Sequence, residues 1–252
     1  MTSATTRTRA LGILAGSAVF ALTLAGCATG GSTGGSDDGA ILVGTTDKVV
    51  TLDPAGSYDN GSFAVQNQIY GFLLNSPLGT PDVEPDLAES AEFTSPNEYT
   101  VTLKPDLKFA NGNALTASDV KFTFDRQLAI AAPDGPSSLL YNLDSTEVVD
   151  DLTVVFTLKA ENDQVFPQIL STFPGAIVDE DVFSATELTP DDDIVAGNAF
   201  NGQYSIASYD FNKTIEFVPN ENYAGLLGPA HNSSVILSYY ADSSNLKLDV
   251  GE

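Results

Sequence analysis

Between Tyr99 and Leu103 the chain alternates strictly, with Tyr99, Val101 and Leu103 on one face and Thr100 and Thr102 on the other. That period of two predicts a half-buried strand. Pro105 cannot donate to a ladder, so the strand ends near Lys104. Asn111-Gly112-Asn113 supplies a tight turn with positive φ. Thr116 followed by Asp119 predicts a helix start. The hydroxyl can accept from first-turn amides, and the carboxylate suits the positive end of the helix dipole. Val120, Phe124 and Leu128 then recur at helical spacing, with Phe122 flanking the stripe.

The same reading predicts a first buried strand over Ala40–Thr46 and a polar loop over Ala55–Gly61. A helix is expected from Ser62 to Leu74, where Phe63, Ile69, Phe72 and Leu73 fall at roughly helical spacing. Glu147–Leu158 reads as two strands joined at Asp150-Asp151. Gln164–Leu170 is a short helix whose Pro167 sits in the first turn, where proline is tolerated. Further strands are expected at Ala176–Val178, Gly202–Tyr209, Lys213–Val218 (the last two a hairpin) and Val235–Tyr240, and a helix over Ser243–Val250.

The N-terminus follows another pattern. Arg7 and Arg9 precede a nearly uncharged apolar run from Leu11 to Leu24, and Leu24-Ala25-Gly26-Cys27 matches the bacterial lipobox. A run of about 14 residues is short of the about 20 that a spanning helix needs. Residues 1–26 therefore read as a lipoprotein signal peptide. Cys27, the single cysteine, is the lipidation residue and excludes an intrachain disulfide. Residues 27–39 form the lipidated cysteine and a Gly/Ser/Thr tether. About 12 flexible residues span about 20 Å, which holds the folded part close to the membrane. Residues 40–252 make the folded body.

The formal charge of −24 repels nucleic acid and anionic lipid, so neither is an expected partner. Residues for catalysis are not grouped. His231 is the sole histidine and falls in a Gly/Pro/Asn-rich loop. No G-x-S-x-G elbow, H-E-x-x-H or phosphate-binding glycine loop appears. Thr189–Asp193 (TPDDD) lacks the spacing of a calcium loop and reads as a solvated loop. Neither a cofactor nor a metal is called for.

Several segments carry a resemblance. The strand, K-F-x-x-G turn and L-T-A-x-D-V helix of Tyr99–Leu128 come after Leu52-Asp53-Pro54 and Pro85-Asp86-Leu87-Ala88-Glu89-Ser90, and before Asn220-x-x-Tyr223. Together they resemble the oligopeptide/dipeptide/nickel-binding class of ABC-transporter substrate-binding proteins, the bacterial extracellular solute-binding family 5. Ala91 and Ala224 stand where that family commonly has tryptophan, and the chain contains none.

The resemblance implies an α/β fold: a periplasmic-binding-protein-like (type II) lobe with a mixed sheet, truncated to about the first half of a member and lacking its second lobe. It implies a monomeric, non-enzymatic protein lipid-anchored on the extracytoplasmic face of the cell membrane. Its partners would be a peptide or similar small solute and an ABC permease. In that family the loop after L-D-P lines the ligand cleft, which makes Tyr58, Asp59 and Asn60 the candidate contacts. As Gly/Ser/Asp/Asn-rich sequence they equally fit a surface turn. The alternative for the whole chain is a remnant acting as a structural or interaction lipoprotein, or a non-functional fragment. Apolar surface meant for absent neighbours is expected to be exposed.

Overall fold

A computed structural model describes residues 39–250. Residues 1–38, on which the expected signal peptide, Cys27 and most of the expected tether fall, and the last two residues, Gly251 and Glu252, lie outside the described residues. No described helix is long and apolar enough to cross a membrane.

In chain order the elements are β1 (Ala40–Thr45), α1 (Asn60–Ile69), β2 (Leu74–Asn75), β3 (Glu84–Pro85), β4 (Ala88–Ser95), β5 (Glu98–Leu103) and α2 (Ala117–Ile130). There follow β6 (Leu143–Asp150), β7 (Thr153–Leu158), α3 (Phe166–Ile169), α4 (Asp191–Gly197), β8 (Tyr204–Asp210), β9 (Thr214–Pro219), β10 (Ser234–Tyr239) and α5 (Ser243–Val250). They form two four-stranded sheets and a short β2–β3 ribbon.

The first sheet has the order β1-β10-β9-β8, with β1 parallel to β10 and the other pairs antiparallel. It is therefore mixed, as expected. The second, β4-β5-β7-β6, is wholly antiparallel.

Each sheet has its own core. In the second sheet, Tyr99 faces Phe156 and Val101 faces Val154 across β5 and β7, so the alternating residues of both strands share one buried face. α2 lies on that face through Val120 and Phe124, and the Phe124 ring meets Phe156 edge-on at 4.9 Å. Burying such side chains contributes about 1.5–3 kcal/mol each. The helix begins with the expected capping box: the Asp119 carboxylate accepts from Thr116 N at 2.8 Å and Thr116 Oγ1 from Ser118 N at 3.2 Å. Phe122, between the two inward positions, points instead to the core of the first sheet, which gathers Val65, Ile69, Phe200, Ile206, Ile215 and Phe217. α2 thus serves both cores. Leu128, expected on the apolar stripe, is in neither core and is left 39% exposed.

Other expectations are corrected. β1 is not buried but forms the sheet edge, with Ile41, Leu42 and Val43 exposed and Leu42 at 77%. The α1 helix stops at Ile69, not Leu74. Beyond it, Gly71 N donates to Asn201 Oδ1 and Gly71 O accepts from Ile177 N, which pulls the chain into an extended path. Ala176–Val178 is not a strand. Ala176 makes one bridge to Phe72, and Val178 N donates to Thr123 Oγ1. In the 111–113 turn only Gly112 takes positive φ, +95°. Thr189–Asp193 is no solvated loop, because Asp191–Asp193 form the first turn of α4. His231 lies exposed in a loop, as expected.

Candidate functional site

The Leu52-Asp53-Pro54 segment is held from every side. Asp53 caps a 3-10 turn, Pro54–Gly56, by accepting from Ala55 N at 2.9 Å. Its two oxygens accept from Arg126 Nη1 and Nη2, both at 2.8 Å, and Oδ2 also accepts from Thr189 N at 2.8 Å. Both side chains are buried. Arg126 projects from α2 and donates further to the carbonyls of Ser184 (2.9 Å) and Glu187 (3.2 Å). A planar guanidinium can satisfy a carboxylate and two carbonyls at once, which a lysine cannot.

A second carboxylate fixes the residues just before. Asp191 Oδ1 accepts from Thr51 Oγ1 at 2.8 Å and from Leu52 N at 2.7 Å, and its Oδ2 accepts from the Tyr209 hydroxyl at 2.6 Å. Burial and this hydrogen bond push the Tyr209 phenol far above its usual range. The Tyr70 hydroxyl donates to Leu52 O at 3.1 Å, and the Gln66 amide donates to Thr51 O and Ser57 Oγ. Residues 52–57 are all buried in consequence.

Tyr58 breaks out of this frame, 53% exposed. Its ring meets Phe173 edge-on at 5.0 Å, and Phe173 stacks on Phe63 at 3.9 Å, so the exposed ring rests on an aromatic base. Asp59 caps α1, accepting from Ser62 N at 2.9 Å through Oδ1. Asn60 is the exposed first residue of that helix. The three expected residues are thus contiguous. Tyr58 and Asp59 line an open depression of about 430 Å³, together with Val50, Asp134, Gly135 and Ser138, whereas Asn60 is not in its lining. The far rim is clamped onto the 3-10 turn: a Cβ on Gly135 would stand 2.1 Å from Ala55 O.

The far rim and Arg126 were missed by sequence reasoning. A signal for Arg126 did exist: it is the single arginine after Arg9, and it sits one helical turn from Phe122. Among the described residues no group of three or more His, Cys, Asp or Glu side chains converges as a metal site would require. What the arrangement offers is shape and contact rather than a nucleophile or base.

The family profile described as bacterial extracellular solute-binding proteins, family 5 (middle part), matches residues 82–251. This chain is a member of solute-binding protein family 5. The probable D,D-dipeptide-binding periplasmic protein DdpA of Escherichia coli is 30% identical over 221 residues, covering 84% of this chain and 42% of that protein. The oligopeptide-binding protein AppA of Bacillus subtilis is 30% identical over 135 residues, 53% of this chain and 25% of the relative. Among solved structures, Burkholderia pseudomallei OppA superposes with a TM-score of 0.72 at 17% identity, over 85% of this chain and 45% of its own. Bacillus subtilis AppA in complex with a nonapeptide gives 0.70 at 23%, over 84% and 42%.

At such identities the structures establish the fold, that of type II periplasmic binding proteins. The chain spans under half the length of these relatives. Family 5 proteins are transport binding proteins and not enzymes.

Proposed function

We propose that this chain is the ligand-facing first part of the extracytoplasmic substrate-binding component of an ABC importer. Its role is to hold a peptide-type solute and hand it to the permease without chemical change. Residues 1–26 act as the lipoprotein signal, Cys27 carries the lipid anchor, residues up to 39 form the tether, and the body works as a monomer. The observation that carries the reading is the contrast at the L-D-P turn: residues 52–57 are buried and cross-braced, and Tyr58 is presented open beside a depression. A rigid loop that offers one free aromatic ring suits recognition of a solute with little ordering cost. Tyr58 supplies the contact surface, and Asp59 and Asn60 the polar groups next to it.

The alternative, a structural or interaction remnant, is favoured by one feature. The apolar half of the first sheet toward β1 is open, with Val43, Val235 and Leu237 lining a groove of about 240 Å³ beside α1.

Calorimetry separates the two. A clamshell gains affinity by enclosing its ligand, so the chain alone should show no isotherm tighter than millimolar with a peptide library. Supplying the remaining polypeptide of a family 5 relative should restore binding, and Tyr58→Ala in that complex should weaken it by about tenfold. Mass spectrometry should find Cys27 diacylated at the mature N-terminus. A complex that never binds solute, or an unprocessed Cys27, rejects the importer reading.

A further inference from the structure

Away from the Tyr58 loop, at the C-terminal end of α1, lies a more enclosed cavity of about 100 Å³. Asp86 enters it from the residue after β3 and is only 8% exposed. Its Oδ1 accepts from Leu226 N at 2.7 Å, the Phe72 backbone also bonds the carboxylate and Glu84 acts on it through space, yet it makes no ion pair among the described residues. The Lys104 ammonium, which acts on it through space, donates instead to Ala224 O at 3.4 Å. Burial pushes the Asp86 carboxyl above its usual range.

Three side-chain amides in the rest of the lining have their nitrogens engaged by other groups. The Gln68 amide nitrogen donates to Ala64 O, that of Asn75 to Glu84 Oε1 and that of Gln203 to Gly228 O. Each of those partners is a pure acceptor, so the nitrogen must face it and the amide oxygen is the group left over. Tyr223 also lines the cavity, and its hydroxyl oxygen accepts from Leu227 N at 3.5 Å. That oxygen and Asp86 Oδ1 stand 2.3 and 2.6 Å from where a Cβ on Gly225 would be, so only glycine lets the loop close here.

We propose that this cavity is a binding site for a small monovalent cation, an alkali or ammonium ion, held by Asp86, Tyr223 and the amide oxygens of Gln68, Asn75 and Gln203. One carboxylate balances one positive charge. A divalent ion takes several carboxylates, and no such group converges here among the described residues. The volume admits an ion with one or two waters, since a water occupies about 30 Å³.

The test is thermal unfolding of the chain in potassium, sodium or ammonium chloride. Ionic strength is held constant with N-methylglucamine chloride, whose cation is too large for the cavity. At saturation one of the small ions should raise Tm by about 5 °C over N-methylglucamine. Asp86→Asn should abolish that response and melt, in N-methylglucamine, at or above the wild-type temperature. Tyr223→Phe should raise the half-saturating concentration by about fivefold, and the Leu226 amide resonance of the wild type should titrate with the ion. These last two decide the matter if Asp86→Asn does not fold. Identical melting in every salt, or a Leu226 resonance that ignores them, overturns the proposal.

Discussion

Replacing Arg126 by methionine tests whether the Leu52–Ser57 segment is held as described. The substitution keeps most of the aliphatic volume and removes two 2.8 Å bonds to Asp53 together with those to the Ser184 and Glu187 carbonyls. Asp53 keeps Ala55 N and Thr189 N but stays buried without a counter-charge. Breaking one partner of a buried pair in this way costs about 3–5 kcal/mol, far more than an exposed pair such as Lys213–Asp210 is worth. For a body of this size each kcal/mol moves Tm by about 2–4 °C, so a fall of about 6–20 °C is expected. Thermal and urea unfolding followed by circular dichroism are the assays, because the chain has no tryptophan to report by fluorescence. The companion is Asp53→Asn with Arg126→Met. With neither charge left stranded, the double variant should recover about 1–3 kcal/mol relative to Arg126→Met alone. A single variant within about 1 kcal/mol of wild type, or a double variant with strictly additive losses, would falsify the claim that this pair braces the turn.

Two further outcomes follow from the same geometry. Burial, with Glu180 and Asp179 nearby, raises the Asp119 carboxyl from 3.8 to about 6 despite its bonds from Thr116 N and Glu180 N. A folded pKa above the unfolded one stabilises at low pH and is lost as pH rises through about 6. The wild type should therefore lose up to about 3 kcal/mol more than Asp119→Asn between pH 4 and pH 7, measured by urea unfolding at each pH. Gly135→Ala places a methyl against the fixed Ala55 carbonyl, which no side-chain motion can relieve, so it should cost about 1–3 kcal/mol and shift the Tyr58 and Asp59 amide resonances.

What the sequence made legible depended on how far each cause reached along the chain. The strand at Tyr99 and the helix after Thr116 were readable because alternation and capping act within a few residues, and β5, α2 and the β8–β9 hairpin stand where they were expected. Whether an apolar strand is buried depends instead on what covers it. The Ala40–Thr46 stretch has the composition of a core strand, but as the edge of the first sheet it stays open. Thr189–Asp193 looked like a solvated acidic loop because the partners of Asp191, namely Thr51 Oγ1 and Leu52 N, lie 140 and 139 residues away. The site divides in the same way. Resemblance located the loop at Tyr58–Asn60, but periodicity could not show that Asp59 caps α1, or that Asp134 and Ser138 form the opposite rim.

The arginine count argues the same point from composition. In a chain with 34 acidic residues, the single arginine after Arg9 is fully enclosed beneath the L-D-P turn. Left on the surface it would be one weak, screened contact among many acids. Under the turn it satisfies Asp53 and two carbonyls from the segment 184–189, so the loop that presents Tyr58 is tied at once to α2 and to the chain leading into α4. Rigidity at that loop is therefore set by long-range charge pairing, and the Tyr58 ring inherits its position from a residue 68 places further along the sequence.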